Sequence, residues 1–255
     1  MARMILLGVG TGLPDVDREN THMVWDGPGG PLLIDAGGST YQRLLRAGID
    51  PQTLRGVLLT HNHTDHINGF PALVFSMALG GRTEPPLPVY GIESTLTTAR
   101  NILEAFEQEG CAVSVDWRPI EAGDELELGA GWKMHTALTA HARPCLASRF
   151  QGPDGEALVY SADTSPCEAV TDLAHGAQVL IHEATVVEPI YGHTTPRQAG
   201  EVAAAAGVKR LIMVHFSPRW TMPEAQAVAE VRAGGFTGAA EAGRENQVIE
   251  LVGNA

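Results

Sequence analysis

Lysine is nearly missing from this chain: of 17 basic residues only Lys133 and Lys209 are lysine, and 30 acidic residues leave a formal charge of −13. A surface of that sign predicts solubility and repels polyanions. It excludes the broad basic face with which nucleic-acid binders neutralise phosphates, so any such contact has to be local. The remaining cations are arginines, suited to planar bidentate grips on anions, although coding bias would leave the same imprint. Cysteine is scarce as well. Cys111, Cys145 and Cys167 are odd in number and far apart, which excludes a disulfide framework and a zinc–thiolate site and points to the cytoplasm. Long apolar runs are absent too: none approaches the roughly 20 residues that cross a bilayer. The opening Met1 to Gly10 passes into Gly8-Val9-Gly10-Thr11-Gly12 without a small-residue cleavage site, and reads as a first strand rather than a signal peptide.

What is present suffices for a core: 255 residues, 44% of them apolar, enough for one domain over 1–255 or two merged halves. Strand-like runs, most of them apolar on both faces, occupy Met4–Leu7, Leu32–Asp35, Val57–Thr60, Val89–Tyr90, Trp132–Ala137, Leu158–Ser161, Val179–His182 and Leu211–His215. Such runs suit sheets covered by helices. Proline at a first turn and glycine after a last one mark helices at Pro196–Ala206 and Pro223–Ala233, with Thr195 and Met222 at the caps. A third candidate, Ile92–Glu109, is closed by Gly110. The order predicts an α/β fold with strands and helices in two successive sets.

Chemistry concentrates in Leu58-Leu59-Thr60-His61-Asn62-His63-Thr64-Asp65-His66. An extended backbone directs residues i and i+2 to one side, so His61 and His63 form one pair, and Asp65 and His66 another as the chain turns. Four such groups cannot fill two metal spheres and leave a solvent position. His141, Asp163 and His215 each follow an apolar strand and are the candidates to complete them.

The segment T-H-N-H-T-D-H resembles the T-H-x-H-x-D-H motif of the metallo-β-lactamase superfold, and finer features resemble its ribonuclease Z branch. These are the glycine loop at 8–12, Leu33-Ile34-Asp35-Ala36-Gly37, His182-Glu183-Ala184-Thr185, Gly192-His193-Thr194-Thr195 and Val214-His215-Phe216-Ser217-Pro218-Arg219. The resemblance implies a four-layer αβ/βα sandwich holding two Zn²⁺, with Mn²⁺ or Fe conceivable at the second position. His61, His63 and His141 would hold the first ion, Asp65, His66 and His215 the second, and Asp163 would bridge. It also implies metal-activated water attacking a phosphodiester, Asp65 orienting that nucleophile, His193 serving the leaving oxygen, and Glu183 fixing the tautomer of His193. Arg219 and Arg149 are candidates to grip a phosphate oxygen. The family also suggests a homodimer.

The chain departs from that branch in two places. Only 21 residues separate His141 from Asp163, with Gln151-Gly152-Pro153-Asp154-Gly155-Glu156 forming a hairpin turn where tRNA-cutting members insert a gripping arm. Gly38, Ser39 and Tyr41 replace the Glu, Gly and Gln of the pattern D-C-G-E-G-T-Q. The substrate expected is therefore a small or exposed diester: an RNA 3′ end, a short oligonucleotide or a cyclic nucleotide. Hydrolysis of a lactone, β-lactam or sulfate ester on the same fold is the alternative, followed by a non-catalytic binding protein. His22, His135 and His175 read as surface or satisfied core residues. Cys145 and Cys167, each four residues beyond a candidate ligand, read as buried small hydrophobes.

Overall fold

A computed structural model describes residues 2–13, 15–108 and 112–253. Two seven-stranded sheets dominate it. The first contains β1 (Ala2–Gly8), β2 (His22–Asp26), β3 (Leu32–Ile34), β4 (Gly56–Leu58), β5 (Leu87–Gly91), β6 (Val115–Pro119) and β14 (Val248–Leu251), in the order β14-β1-β2-β3-β4-β5-β6. The second contains β7 (Glu125–Gly129), β8 (Trp132–Leu138), β9 (Leu146–Gln151), β10 (Ala157–Tyr160), β11 (Val179–Glu183), β12 (Arg210–Val214) and β13 (Ala239–Ala242), in the order β13-β12-β11-β10-β9-β8-β7. In each sheet a parallel set, β3 to β6 and β10 to β13, is flanked by antiparallel strands.

Alternation along the strands decides the layering. Met4, Leu6, Met23, Trp25, Leu32, Ile34 and Leu58 turn to the second sheet, where Trp25 meets Trp132 and Phe150 with ring centroids 6.0 and 6.3 Å away. Their neighbours Ile5, Leu7, Val24, Leu33 and Val57 face the other way, into a cluster with Leu44 of α1 (Thr40–Arg46), Leu73 and Met77 of α3 (Phe70–Leu79) and Leu96 of α4 (Glu93–Ala105). The short α2 (Thr64–Ile67) follows β4, while α5 (Glu168–Ala174), α6 (Pro196–Ala206) and α7 (Glu224–Ala233) cover the second sheet. This is a four-layer αβ/βα sandwich. Completely buried aliphatic side chains such as Leu33 and Leu211 each contribute about 1.5–3 kcal/mol by leaving water. No helix among the described residues is long and apolar enough to cross a membrane.

Several element ends differ from the sequence expectation, and the backbone explains them. Asp35, Ala162 and His215 adopt left-handed conformations with φ of 61°, 50° and 65°, so β3, β10 and β12 stop at Ile34, Tyr160 and Val214 rather than one residue later. β4 likewise ends at Leu58, two residues before Thr60. Left-handed non-glycine residues cost of order 1–3 kcal/mol each, and these three sit where strands release the chain toward one region. The α6 expectation is met in full: Thr195 and Gln198 form a capping box, Pro196 opens the helix and Gly207 closes it at φ 66°. In α7, Pro223 is extended and precedes the first turn, so Met222 is not a cap. α4 ends at Ala105, with Glu107 at φ 51°, short of the expected Glu109. Glu109, Gly110 and Cys111 lie outside the described residues.

Candidate metal centre

The strand ends deliver their residues to one place. After β4 the chain runs through Thr60 and His61 into α2, bringing His63, Asp65 and His66, while the second sheet adds His141, Asp163 and His215 from beyond β8, β10 and β12. Among the described residues, three groups have ligand atoms within 4.8 Å of one another: His61, His63, His141 and Asp163; Asp65, His66 and His215; and Asp163, His193 and His215. Asp163 therefore joins clusters on both sides. The presence of His193 in a ligand cluster was not anticipated from the sequence.

Every clustered histidine except His63 has one nitrogen held by a group outside the cluster, which aims the other inward. His66 Nδ1 is 2.7 Å from Asp35 Oδ2, His141 Nδ1 donates to the Gly192 carbonyl at 2.8 Å, His215 Nδ1 lies 2.7 Å from Thr185 Oγ1, and His61 Nδ1 is 3.1 Å from Thr60 Oγ1. The inward atoms converge, and only some of them meet at hydrogen-bond distance. His66 Nε2 is 3.6 Å from both Asp65 Oδ2 and Asp163 Oδ1, and His215 Nε2 is 3.4 and 3.5 Å from the same two oxygens. His141 Nε2 stands 3.1 Å from His63 Nδ1.

These atoms fit a divalent cation. His61 Nε2, His66 Nε2 and Asp163 Oδ1 are buried and have no hydrogen-bond partner, and an unsatisfied buried polar atom costs about 1–3 kcal/mol. The charge balance agrees. Burial works against a charged His66, but Asp35, Asp163 and Asp65 outweigh it and lift the pKa to about 10. That proton is what a cation replaces. Burial, and then the neighbouring histidines, push His61 well below the usual imidazole range. Burial would raise the carboxyls of Asp65 and Asp163, yet the surrounding histidines hold both below the ordinary value.

Close packing holds Asp65 in place. A Cβ on Gly37 would stand 2.1 Å from its carbonyl oxygen, and one on Gly12 3.1 Å from its carboxyl carbon. His193 presents Nδ1 to Glu183 Oε1 at 2.9 Å, and its ring lies 5.4 Å from His141 and 5.8 Å from His215. Glu183 is itself fixed by the backbone amides of Thr164 and Thr185 at 3.1 and 3.0 Å.

A sequence family described as the Beta-lactamase superfamily domain matches residues 31–216. Ribonuclease Z of Methanosarcina mazei is 30% identical, with 87% of this chain and 89% of that protein covered. The chain belongs to the metallo-β-lactamase superfamily, in its ribonuclease Z-like branch. As a member it is a metal-dependent hydrolase. Two solved structures share the superfamily fold. The metallo-β-lactamase fold protein YhfI from Bacillus subtilis has a TM-score of 0.82 at 22% identity, covering 98% of this chain and 100% of that one. The short form of human tRNase Z has a TM-score of 0.78 at 21% identity, covering 98% and 99%.

In this ribonuclease Z-like chain the two arginines part company. Arg219 is exposed on the rim of a cavity it shares with Thr185, next to His215. Arg149 requires a correction. It projects from β9 toward α5, and its guanidinium is engaged by the carbonyls of Leu173 and His175 and by Gln151 Oε1 at 2.8–3.0 Å, so it grips no substrate at the centre. Among the remaining histidines, His22 is buried with Nδ1 on the Asn20 carbonyl, His135 is half-buried near Glu125, and His175 is exposed at the end of α5. Cys145 is buried, 3.5 Å from His61 Nδ1, whereas Cys167, expected to be buried, is only partly so at the N-cap of α5, with its sulfur 3.6 Å from the Thr164 hydroxyl. Residues to which the sequence assigned no role are Asp35, Thr60, Thr185 and Gly192, each holding a histidine of the cluster. Asp35 ending a buried apolar strand was the available signal.

Proposed function

We propose that the protein is a binuclear zinc-dependent phosphodiesterase of ribonuclease Z type, acting on a small or exposed diester such as an RNA 3′ end, a short oligonucleotide or a cyclic nucleotide. The observation that carries this reading is the Glu183–His193 pair, 2.9 Å apart and set against the ligand rings, together with the ribonuclease Z relatives. His61, His63 and His141 would hold one cation, Asp65, His66 and His215 the other, and Asp163 both. Bound there, the cations supply water activated near neutral pH and positive charge for phosphoryl oxygens. Mn²⁺ or Fe in the second site would serve the same chemistry.

The chain's own groups do the rest. Asp65, held by Gly12 and Gly37, orients the attacking water. His193 donates to the leaving oxygen, and Glu183 keeps its Nδ1 proton in place so that Nε2 faces the reaction. Arg219 stands ready for a phosphate oxygen at the rim. Between β9 and β10 the chain makes a tight turn, with Gly152 N bonded to the Glu156 carbonyl at 2.8 Å. No gripping arm rises there, which favours small or terminal substrates over a whole folded RNA.

The test is hydrolysis of bis(p-nitrophenyl) phosphate by zinc-loaded protein beside His63→Ala, with a lactone and a β-lactam in parallel. Diester cleavage that disappears in the variant is expected. Carbonyl turnover without diester cleavage would overturn the proposal.

A further inference from the structure

Beside the ligand His215 lies a cavity of about 290 Å³ whose walls include Thr185, Val187, Glu188, Ser217, Arg219 and Trp220. It adjoins the metal centre through Thr185, whose hydroxyl also holds His215 Nδ1 at 2.7 Å. One wall is a rigid aromatic platform. The Trp220 ring stacks on Phe216 with centroids 4.6 Å apart and planes 22° off parallel, and the Arg18 guanidinium lies 5.4 Å from the Phe216 centroid. The backbone is pinned as well: Trp220 N donates to Ser217 O at 2.8 Å, Phe216 N to Val9 O at 2.8 Å, and Thr11 N to Phe216 O at 3.3 Å. The platform therefore stands at a fixed height beside the ligands, with no reorganisation needed to receive a ring.

The cavity's chemistry selects its occupant. At the lower edge of the ~300–1,000 Å³ typical of small-molecule sites, it takes one planar group and not an oligomer. An indole wall suits stacking, Val187 closes the apolar side, and Glu188 and Arg219 offer one acceptor and one donor for the polar edge of a ring. An aliphatic substituent would leave both charged groups unmatched. We propose that this cavity is a nucleobase subsite and that Trp220 is the residue that makes the enzyme prefer a base-bearing diester. The proposal rests on the phosphodiesterase reading for its place beside the cleaved bond, but binding of the base does not require turnover.

Two measurements separate the two claims. The first is equilibrium binding of AMP and of ribose 5-phosphate to the zinc-loaded protein, in wild type, Trp220→Ala and Trp220→Phe. Both probes carry the same phosphate, so their difference reports the base. Stacking on an aromatic side chain predicts that wild type favours AMP by about tenfold, that the alanine variant loses the preference and that the phenylalanine variant retains most of it. The second is the ratio of KM values for thymidine 5′-(p-nitrophenyl phosphate) and methyl p-nitrophenyl phosphate, which share a leaving group and differ in carrying a nucleoside or a methyl group, so that the part of the preference lost in Trp220→Ala and kept in Trp220→Phe reports the base. The same tenfold preference is expected, read within each variant so that a general loss of activity does not imitate it. Equal affinity of the wild type for AMP and ribose 5-phosphate overturns the subsite, even if both esters are cleaved. AMP bound through Trp220 with neither ester cleaved would leave the subsite standing and sink the phosphodiesterase reading.

Discussion

Asp35 touches no ligand atom that faces the centre, yet the geometry makes it a control point for metal affinity. Its two oxygens are both committed: Oδ1 accepts from Thr60 N at 2.8 Å and from Thr60 Oγ1, and Oδ2 accepts from His66 Nδ1 at 2.7 Å. Asp35→Asn keeps the shape but leaves one oxygen and one NH₂ in a completely buried position. If the oxygen stays with Thr60, the NH₂ opposes His66 Nδ1, and the ring must give up that proton and carry one on Nε2, where a cation binds. If the oxygen turns to His66, the Thr60 amide loses its acceptor. Either arrangement forfeits one charge-assisted bond of about 1.5–3 kcal/mol. The part that falls on His66 weakens the metal by about 10- to 100-fold, the usual effect of removing a group that orients a ligand histidine. Competition against a chromophoric chelator measures this, with the melting temperature of the metal-free protein as the folding control. Wild-type zinc affinity at both sites in Asp35→Asn would refute the reasoning, since His66 would then not depend on Asp35 for its tautomer.

Three further outcomes are expected. Gly37→Ala places a methyl 2.1 Å from the Asp65 carbonyl oxygen, so metal content measured after dialysis should drop together with activity; a fully metallated, active variant would contradict the account of Asp65. Glu183→Gln, which cannot hold the His193 proton as a carboxylate does, should lower kcat by about 10²-fold or more at unchanged metal content, and an unaltered kcat would remove His193 from the chemistry. Burial lowers the pKa of His22 to about 4 against an ordinary value of 6.5. The unfolded chain therefore takes up this proton first as pH falls, and stability present above pH 6.5 declines by about 3 kcal/mol by pH 4. Denaturant titrations of wild type and His22→Asn should diverge in slope over that window, and parallel curves would argue against it.

The cluster was legible because His61, His63, Asp65 and His66 stand within six residues after an apolar strand, a density that solvated turns do not need. The holders of the ligand histidines were not. Asp35 reaches His66 across 31 positions and Thr185 reaches His215 across 30, and nothing local in the sequence pairs them. The left-handed turns at Asp35, Ala162 and His215 were hidden for a related reason: only glycine advertises that conformation, and tertiary contacts impose it here. Arg149 shows the limit of strand parity. Alternation assigns it to the opposite face from Ser148 and Phe150, but which face looks toward the centre is fixed by where α5 packs. Helix ends were readable where cap chemistry was complete, as at Thr195, and drifted where it was not, as at Met222.

The two sheets contribute unequally to the centre, and that inequality separates what is fixed from what can be altered. The first supplies four of the clustered side chains, His61, His63, Asp65 and His66, from the turn after β4 and from α2, so one short segment carries more than half of the seven candidate ligands. The second supplies its ligands singly and surrounds them with exposed loops at 186–191 and 217–221. Substitutions in those loops therefore reshape the approach to the cluster without touching the segment from Thr60 to His66.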